Sequence, residues 1–193
     1  MKVELKQVTK DPESAIANAA RISHMASGAG LEGDRRLIRD LISWSHMSPL
    51  EFADATFLVR GVSRSCLAQI TRHRHASFMV RSMRYVKQEK GEVVIPPSIK
   101  KSEVRDLYKE RVSSSFATYQ ELVEAGVPKE DARFALPIGV ETQFYIKANF
   151  REYRHIIKLR ATDEAQWEIR ELAERFAEEL IEVAPSVFED LIS

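Results

Sequence analysis

Between Arg72 and Tyr85 the chain runs RHRHASFMVRSMRY, a block dense in groups that can do chemistry. Arg72, Arg74, Arg81 and Arg84 each carry a planar fork of N–H donors, the shape that grips a phosphate or carboxylate through two parallel hydrogen bonds. His73, His75, Ser77, Ser82 and Tyr85 place neutral donors and ring faces among them. From Ala55 to Gln88 there is no Asp or Glu, while Arg60, Arg64, Arg72, Arg74, Arg81, Arg84 and Lys87 contribute a local +7. The whole chain has 29 basic and 29 acidic residues and no net charge, so the remainder carries −7. A phosphomonoester brings about −1.5 to −2 charges. The composition therefore suits a phosphorylated ligand with a flat ring, and the alternative is a solvated basic face.

Other residues invite chemistry and have plainer readings. His73 and His75 would share a face on a strand and could hold one cation. Two arginines flank them and no nearby carboxylate offsets a metal's charge, so no metal site is expected. Cys66, the lone cysteine, falls in the apolar stripe of its segment and reads as a buried structural thiol rather than a nucleophile. Gly28, Gly30 and Gly33 match the GxGxxG spacing, but that pattern binds pyrophosphate only when a buried strand leads into a helix. Residues 15–25 read as helix instead, so residues 27–33 are expected to be an ordinary loop.

The elements that must position these groups follow from periodicity and punctuation. Residues 1–8 alternate as a strand. Asp11-Pro12 opens a helix through Ile22, with Asp11 as N-cap and Pro12 at N1. Residues 34–44 form a second helix. Phe52–Val62 is strand-like, Ser63 caps a helix through Cys66, Leu67 and Ile70, and 78–86 is mixed or extended. Pro96 and Pro97 mark a loop. Val104, Leu107, Tyr108, Val112, Phe116, Tyr119, Leu122 and Val123 trace a long helix that stops at Gly126, with Pro128 beyond. A short helix over 128–136, a strand over 140–148 and a helix over 151–159 come next. Thr162 caps a final helix with Ala165, Ile169, Leu172, Ala173, Phe176, Leu180 and Val183 on its apolar stripe. Glu168, Glu171, Glu174, Glu178 and Glu182 are expected on its solvent side. Single strands between helices predict an α+β fold with a small, mostly antiparallel sheet.

The 193 residues are one domain's length, 1–193, and enough to bury a core without a metal or disulfide staple. Hydrophobic residues at 44% and charged residues at 30% exclude a disordered chain or a small disulfide scaffold. No apolar run is long enough to span a membrane and the N-terminus has no signal-peptide core. With one cysteine, a cytoplasmic setting is expected. Zero net charge disfavours a general nucleic-acid or membrane binder.

Arg-His-Arg, seven residues and then Ser, met by Arg72, His73, Arg74 and Ser82, is the ThyX signature. The chain resembles the flavin-dependent thymidylate synthases, and the likeness continues in order over most of its length. It includes Ala19-Ala-Arg-Ile-Ser23, His46-Met-Ser-Pro-Leu-Glu51, Gly126-Val-Pro128 through Ala132-Arg133 and Leu136-Pro137, Leu159-Arg160-Ala161 and Ala165-Gln-Trp-Glu168. The resemblance implies a ThyX-like homotetramer with FAD, dUMP and a folate in sites shared between subunits. It implies reductive methylation of dUMP to dTMP, with 5,10-methylenetetrahydrofolate as carbon donor and NADPH-reduced FAD as hydride donor, and no cysteine nucleophile. Matched position by position, Arg72, His73 and Arg74 would contact FAD. Ser48, Asn149 to Arg151, His155 and the main chain of Val80 would line the flavin. Gln69, Arg72, Ser82, Met83, Arg84 and Arg133 would hold dUMP. Arg160 would polarise the uracil and favour its N3-ionised form, and His46 and Tyr85 would stand on the folate side.

The sequence departs from the family pattern at Met79 and Val80, where many members have Asn and Glu, at Phe52 in place of a second His, and at Glu164 in place of a His. A related flavoenzyme methylating another pyrimidine nucleotide such as UMP is one alternative. A non-catalytic nucleic-acid-binding module is another.

Overall fold

Strict alternation builds the sheet. In the strand Glu141–Asn149, Thr142, Phe144, Ile146 and Ala148 are buried while Gln143, Tyr145 and Lys147 face out. The computed structural model describes residues 1–23, 27–28, 30–84 and 92–191. Its strands are β1 (Lys2–Val8), β2 (Asp54–Ser63), β3 (Ser77–Val80) and β4 (Glu141–Asn149). They form one antiparallel sheet in the order β1-β2-β4-β3. The α+β expectation therefore holds. Main-chain bonds set the register: Thr9 N donates to Asp54 O, Phe150 N to Ala53 O, and Arg81 N to Gln143 O.

The chain divides into two compact units. The first comprises Met1–Val59, Ile70–Met79 and Tyr145–Ser193. It contains α1 (Pro12–Ile22), α2 (Gly30–Ser43), a 3-10 turn (Ser48–Phe52), and the helices Phe150–Arg160 and Trp167–Val183. Its core is built on the rings of Phe57, Tyr153 and Phe176, whose centroids stand 4.9–5.5 Å apart in tilted and edge-to-face pairs. The buried Tyr153 hydroxyl donates to Ala55 O and Ile146 O, so the ring is buried without orphaning its polar end.

The second unit comprises Arg60–Gln69 and Val80–Phe144. It holds nearly all of α3 (Arg64–Ile70), together with α4 (Pro97–Lys100), α5 (Arg105–Glu124) and α6 (Lys129–Ala132). Val112, Phe116 and Val140 form its core, with Met83, Val93, Tyr108 and Leu136 packed against them. Helix α5 ends in a Schellman motif. Gly126, at φ 90, donates to Val123 O and Val127 N donates to Leu122 O, as the glycine and the following proline predict. In the chain-order naming the three remaining helices are α7 (Phe150–Arg160), α8 (Trp167–Val183) and α9 (Pro185–Phe188).

Several expectations are corrected. Helix α2 begins at Gly30, so Gly30 and Gly33 are helical rather than loop. Asp11 precedes α1 in the left-handed region and makes no side-chain cap. Phe52 ends the 3-10 turn and β2 starts two residues later. Pro97 opens a helical turn, α4, instead of extending a loop. Thr162 does not cap α8. Gln166 does, its side-chain oxygen accepting from Glu168 N and Ile169 N, which leaves Ala165 outside the helix. Glu168, expected in solvent, is buried. The proposed Ser63 cap is present, with Ser63 Oγ accepting from Cys66 N at 3.0 Å, and Cys66 is fully buried as expected.

Candidate active site

Two elements of the first unit face each other across a polar trough. One is the turn over residues 71–76, closed by His73 N donating to Ile70 O and Ala76 N donating to His73 O. These bonds hold His73 and His75 in a turn rather than on a strand, so the shared-face geometry that would pair them on one cation does not arise. The other element is α7. Glu152, His155, Leu159 and Arg160 occupy positions i, i+3, i+7 and i+8 and so lie on one face of it. Asn149 starts that helix, its Oδ1 accepting from Glu152 N at 2.9 Å.

Arg72, His73, Arg74, His75, Glu152, His155, Leu159 and Arg160 line a cavity of about 490 Å³. Arg72, Arg74 and His75 are exposed at its rim, whereas His73 is 5% exposed. Arg160 Nε donates to His73 Nε2 at 3.2 Å, and Glu152 Oε1 stands 3.5 Å from His73 Nδ1. The His155 ring meets the His73 ring edge-on at 5.6 Å. An arginine can only donate, so Nε2 must be the unprotonated nitrogen and the ring proton sits on Nδ1, toward the carboxylate. Burial first, and then the positive fields of Arg160 and His155, lower the His73 pKa to about 4 and keep the ring neutral.

A second cavity of about 450 Å³ shares His75, Glu152 and His155 with the first and adds Glu51, Asn149 and Arg151. Arg151 pairs there with Glu51 at 2.5 Å. Both side chains are about half exposed, and such a pair is worth only about 0–1 kcal/mol, so an incoming anion can displace it. The 3-10 turn that supplies Glu51 presents Ser48, Pro49 and Phe52 to a third, mainly apolar cavity of about 640 Å³. His46 and Trp44, edge-to-face at 6.0 Å, also line it. Ser48 and His46 thus share one cavity, while Arg72, His73, Arg74, His155 and Arg160 share another.

The remaining candidates belong to the second unit. Arg84 holds the Glu130 carboxylate through Nε at 2.9 Å and Nη2 at 2.8 Å, and Arg133 Nε donates to Glu130 O. Arg81 Nη2 donates to Glu141 O, while its buried Nε has no hydrogen-bond partner among the described residues. Burial, then the fields of Arg133 and Arg81, lower the Arg64 pKa. Arg64 thus sits within the positive fields of two other arginines of this unit. Gln69 lies on α3, and Ser82 Oγ accepts from Arg84 N. Tyr85, the folate-side candidate, and Lys87 lie outside the described residues.

Sequence reasoning assigned no site role to Glu152, Glu51 or Arg64. Glu152 had a readable signal, since it precedes His155 by three residues on the face that carries Arg160. Arg64 lies in the acid-free stretch. Glu51 closes the His46–Glu51 element of the family pattern, but nothing local announces its pairing with Arg151, 100 residues away. Among the described residues no group of three His, Cys, Asp or Glu side chains is placed to hold a metal ion, and no helix is long and apolar enough to cross a membrane.

The model of the family described as "Thymidylate synthase complementing protein" matches residues 4–186. The chain is 39% identical to a flavin-dependent thymidylate synthase of Haloarcula marismortui, over 98% of this chain and 94% of that one. It is 38% identical to the enzyme of the same name from Geobacter sulfurreducens, over 98% of this chain and 86% of that one. Among solved structures it is similar to a UMP/dUMP methylase, PolB of Streptomyces cacaoi, crystallised with 5-Br dUMP. The TM-score is 0.86 at 25% identity, covering 97% and 93% of the two chains.

Proposed function

Because this chain belongs to the family of flavin-dependent thymidylate synthases, we propose that it reductively methylates dUMP to dTMP, residues 1–193 acting as one catalytic domain. The observation that carries the proposal is the trough itself. Three guanidinium groups, Arg72, Arg74 and Arg160, border one cavity around a neutral, buried His73, with Glu152 as its buried carboxylate. That donor set fits FAD: exposed forks suit a diphosphate, and the His155 and His75 rings offer faces and edges to a flat ring system. Arg72, Arg74, Asn149, Arg151 and His155 would hold the cofactor, with Ser48 and the Val80 main chain contributing. When bound, FAD supplies a two-electron carrier between NADPH and the pyrimidine.

The proposed reaction balances as dUMP, 5,10-methylenetetrahydrofolate, NADPH and a proton giving dTMP, tetrahydrofolate and NADP+. A carbon–carbon bond forms at uracil C5, the C5 proton leaves, and the hydride reduces the transferred methylene to methyl. The chain's own part is to bind and to stabilise charge. Gln69, Arg72, Ser82, Met83, Arg84 and Arg133 would bind the nucleotide. Arg160 keeps both terminal nitrogens unpaired among the described residues, because it is tethered through Nε. A fixed cation beside a uracil ring that gains negative charge stabilises it without reorganisation. His46 lines the apolar cavity beside Trp44 and would serve the folate. We infer a cytoplasmic homotetramer with sites shared between copies, for which light scattering should return four times 22.1 kDa.

The test is direct. Purified protein loaded with FAD should be yellow and should form dTMP from dUMP with NADPH and methylenetetrahydrofolate. A protein that binds no flavin, or binds it and leaves dUMP unchanged, overturns the proposal. The PolB likeness favours one second reading, in which UMP is also methylated. Competition between UMP and dUMP for one turnover decides between them.

A further inference from the structure

Arg160 is held by a histidine that cannot be charged while it does so, and the histidine in turn faces a buried carboxylate. Arg160 Nε donates to His73 Nε2 at 3.2 Å, and Glu152 Oε1 faces His73 Nδ1 at 3.5 Å. Both Glu152 and His73 are less than a tenth exposed, whereas Arg160 is only partly buried and reaches the trough. We propose that Glu152 and His73 are positioning residues: the carboxylate selects the Nδ1–H tautomer of His73, and the freed Nε2 grips Arg160 by Nε so that its terminal fork points at the ligand. The inference rests on the reading of the trough as a nucleotide and flavin site, but it concerns a contact that exists without either ligand.

The arrangement explains three features together. An arginine tethered only through a terminal nitrogen would lose half its fork, while a tether through Nε leaves the fork whole. A neutral histidine beside a cation is stable only if its lone pair faces the cation, which requires the proton on the far nitrogen. The carboxylate at that far nitrogen supplies the reason for the proton to stay there, as a carboxylate orients an imidazole in other relays. Helix α7 brings Glu152 and Arg160 to the same face eight residues apart, so one rigid element carries both ends of the relay.

The test has a spectroscopic arm and a kinetic arm. With 15N-histidine and 15N-arginine labelling of the full chain, and His73→Gln and Arg160→Lys to identify the resonances, His73 should show a bare Nε2 and a protonated Nδ1. Glu152→Ala should shift His73 toward the other tautomer and move the Arg160 Nε–H resonance. Because Glu152 meets the helix cap through its main-chain N–H, this substitution leaves the cap of α7 in place. In turnover, His73→Leu should lower kcat by about 10²-fold with KM for dUMP little changed, the mark of a misplaced group rather than a lost binding contact. His73→Gln, whose amide oxygen can stand where Nε2 stood, should recover much of that loss. A protonated Nε2 in the wild-type protein overturns the proposal, as does a Glu152→Ala variant with unchanged tautomer and unchanged kcat. If the wild-type protein does not methylate dUMP at all, the function is wrong, and the labelling experiment still judges the relay.

Discussion

His73 shows how a single side chain can tie stability to pH. Its pKa falls from 6.5 to about 4, chiefly through burial and then through Arg160 and His155. A histidine depressed in this way binds its proton first in the unfolded chain. Its contribution to stability is therefore complete above pH 6.5 and is lost as the pH falls through 4. A gap of that size corresponds to up to about 3 kcal/mol. Urea unfolding of wild type and His73→Gln at a series of pH values should show the wild type losing more stability over this window. Parallel curves would mean that His73 titrates normally. Arg160 makes a prediction on rate instead. Replacing it with Ala should slow turnover by about 10²–10³-fold if it stabilises charge on the uracil, and an unchanged rate removes it from that role.

Helix ends decide where several candidate residues stand. Helix α2 closes with a Schellman motif in which Ser45 N donates to Ile42 O and His46 N donates to Leu41 O, placing Ser45 at φ 62. A non-glycine residue in that conformation costs about 1–2 kcal/mol, yet the bond to Leu41 O is what fixes His46 at the apolar cavity. Ser45→Gly should raise stability by about 0.5–1 kcal/mol, the gain in the turn being partly offset by a freer unfolded chain. Thermal unfolding checks it, and a lower midpoint would show that Ser45 has another role. At the other site, Ser63 caps α3 through Cys66 N. Ser63→Ala should cost about 1 kcal/mol.

On the largest scale, the first unit is tied together by Glu13, from the first turn of α1. Its Oε2 accepts from Arg35 Nε of α2 at 2.8 Å, and its Oε1 accepts from Ser186 N at 3.0 Å and Ser186 Oγ at 2.7 Å at α9. Burial opposes ionisation of Glu13, but these donors outweigh it and hold the carboxyl below its ordinary pKa. Glu13→Ala leaves the Ser186 N–H and hydroxyl and the Arg35 Nε–H without their acceptor, although Arg35 keeps Glu32. The expected loss is about 2–3 kcal/mol, below the ~3–5 kcal/mol of a fully buried pair because Arg35 is partly exposed. A urea midpoint unmoved by the substitution would contradict this account. Residues 13 and 186 are nearly the whole chain apart, so no local pattern announces their contact.

Local rules were enough for the α+β class, most element centres, the Ser63 cap and the Gly126 stop, because periodicity, caps and left-handed glycines are properties of neighbouring residues. The density of arginines between Arg72 and Arg84 was equally plain, since counting charge needs no tertiary partner, but the folded chain divides it: Arg72 and Arg74 border the trough of the first unit, and Arg81 and Arg84 belong to the second. Where two residues competed for one local role, the folded chain chose: Gln166 rather than Thr162 caps α8, and Ser45, with no glycine to mark it, closes α2. Glu168 lies off the apolar stripe of its helix, which points it to solvent, yet it is buried. The Glu152–His73–Arg160 contact lay beyond the reach of any window. It joins residues 79 and 87 positions apart, and its chemistry, a neutral ring between a carboxylate and a guanidinium, arises only when folding buries the ring and the carboxylate and brings the partly exposed guanidinium against them.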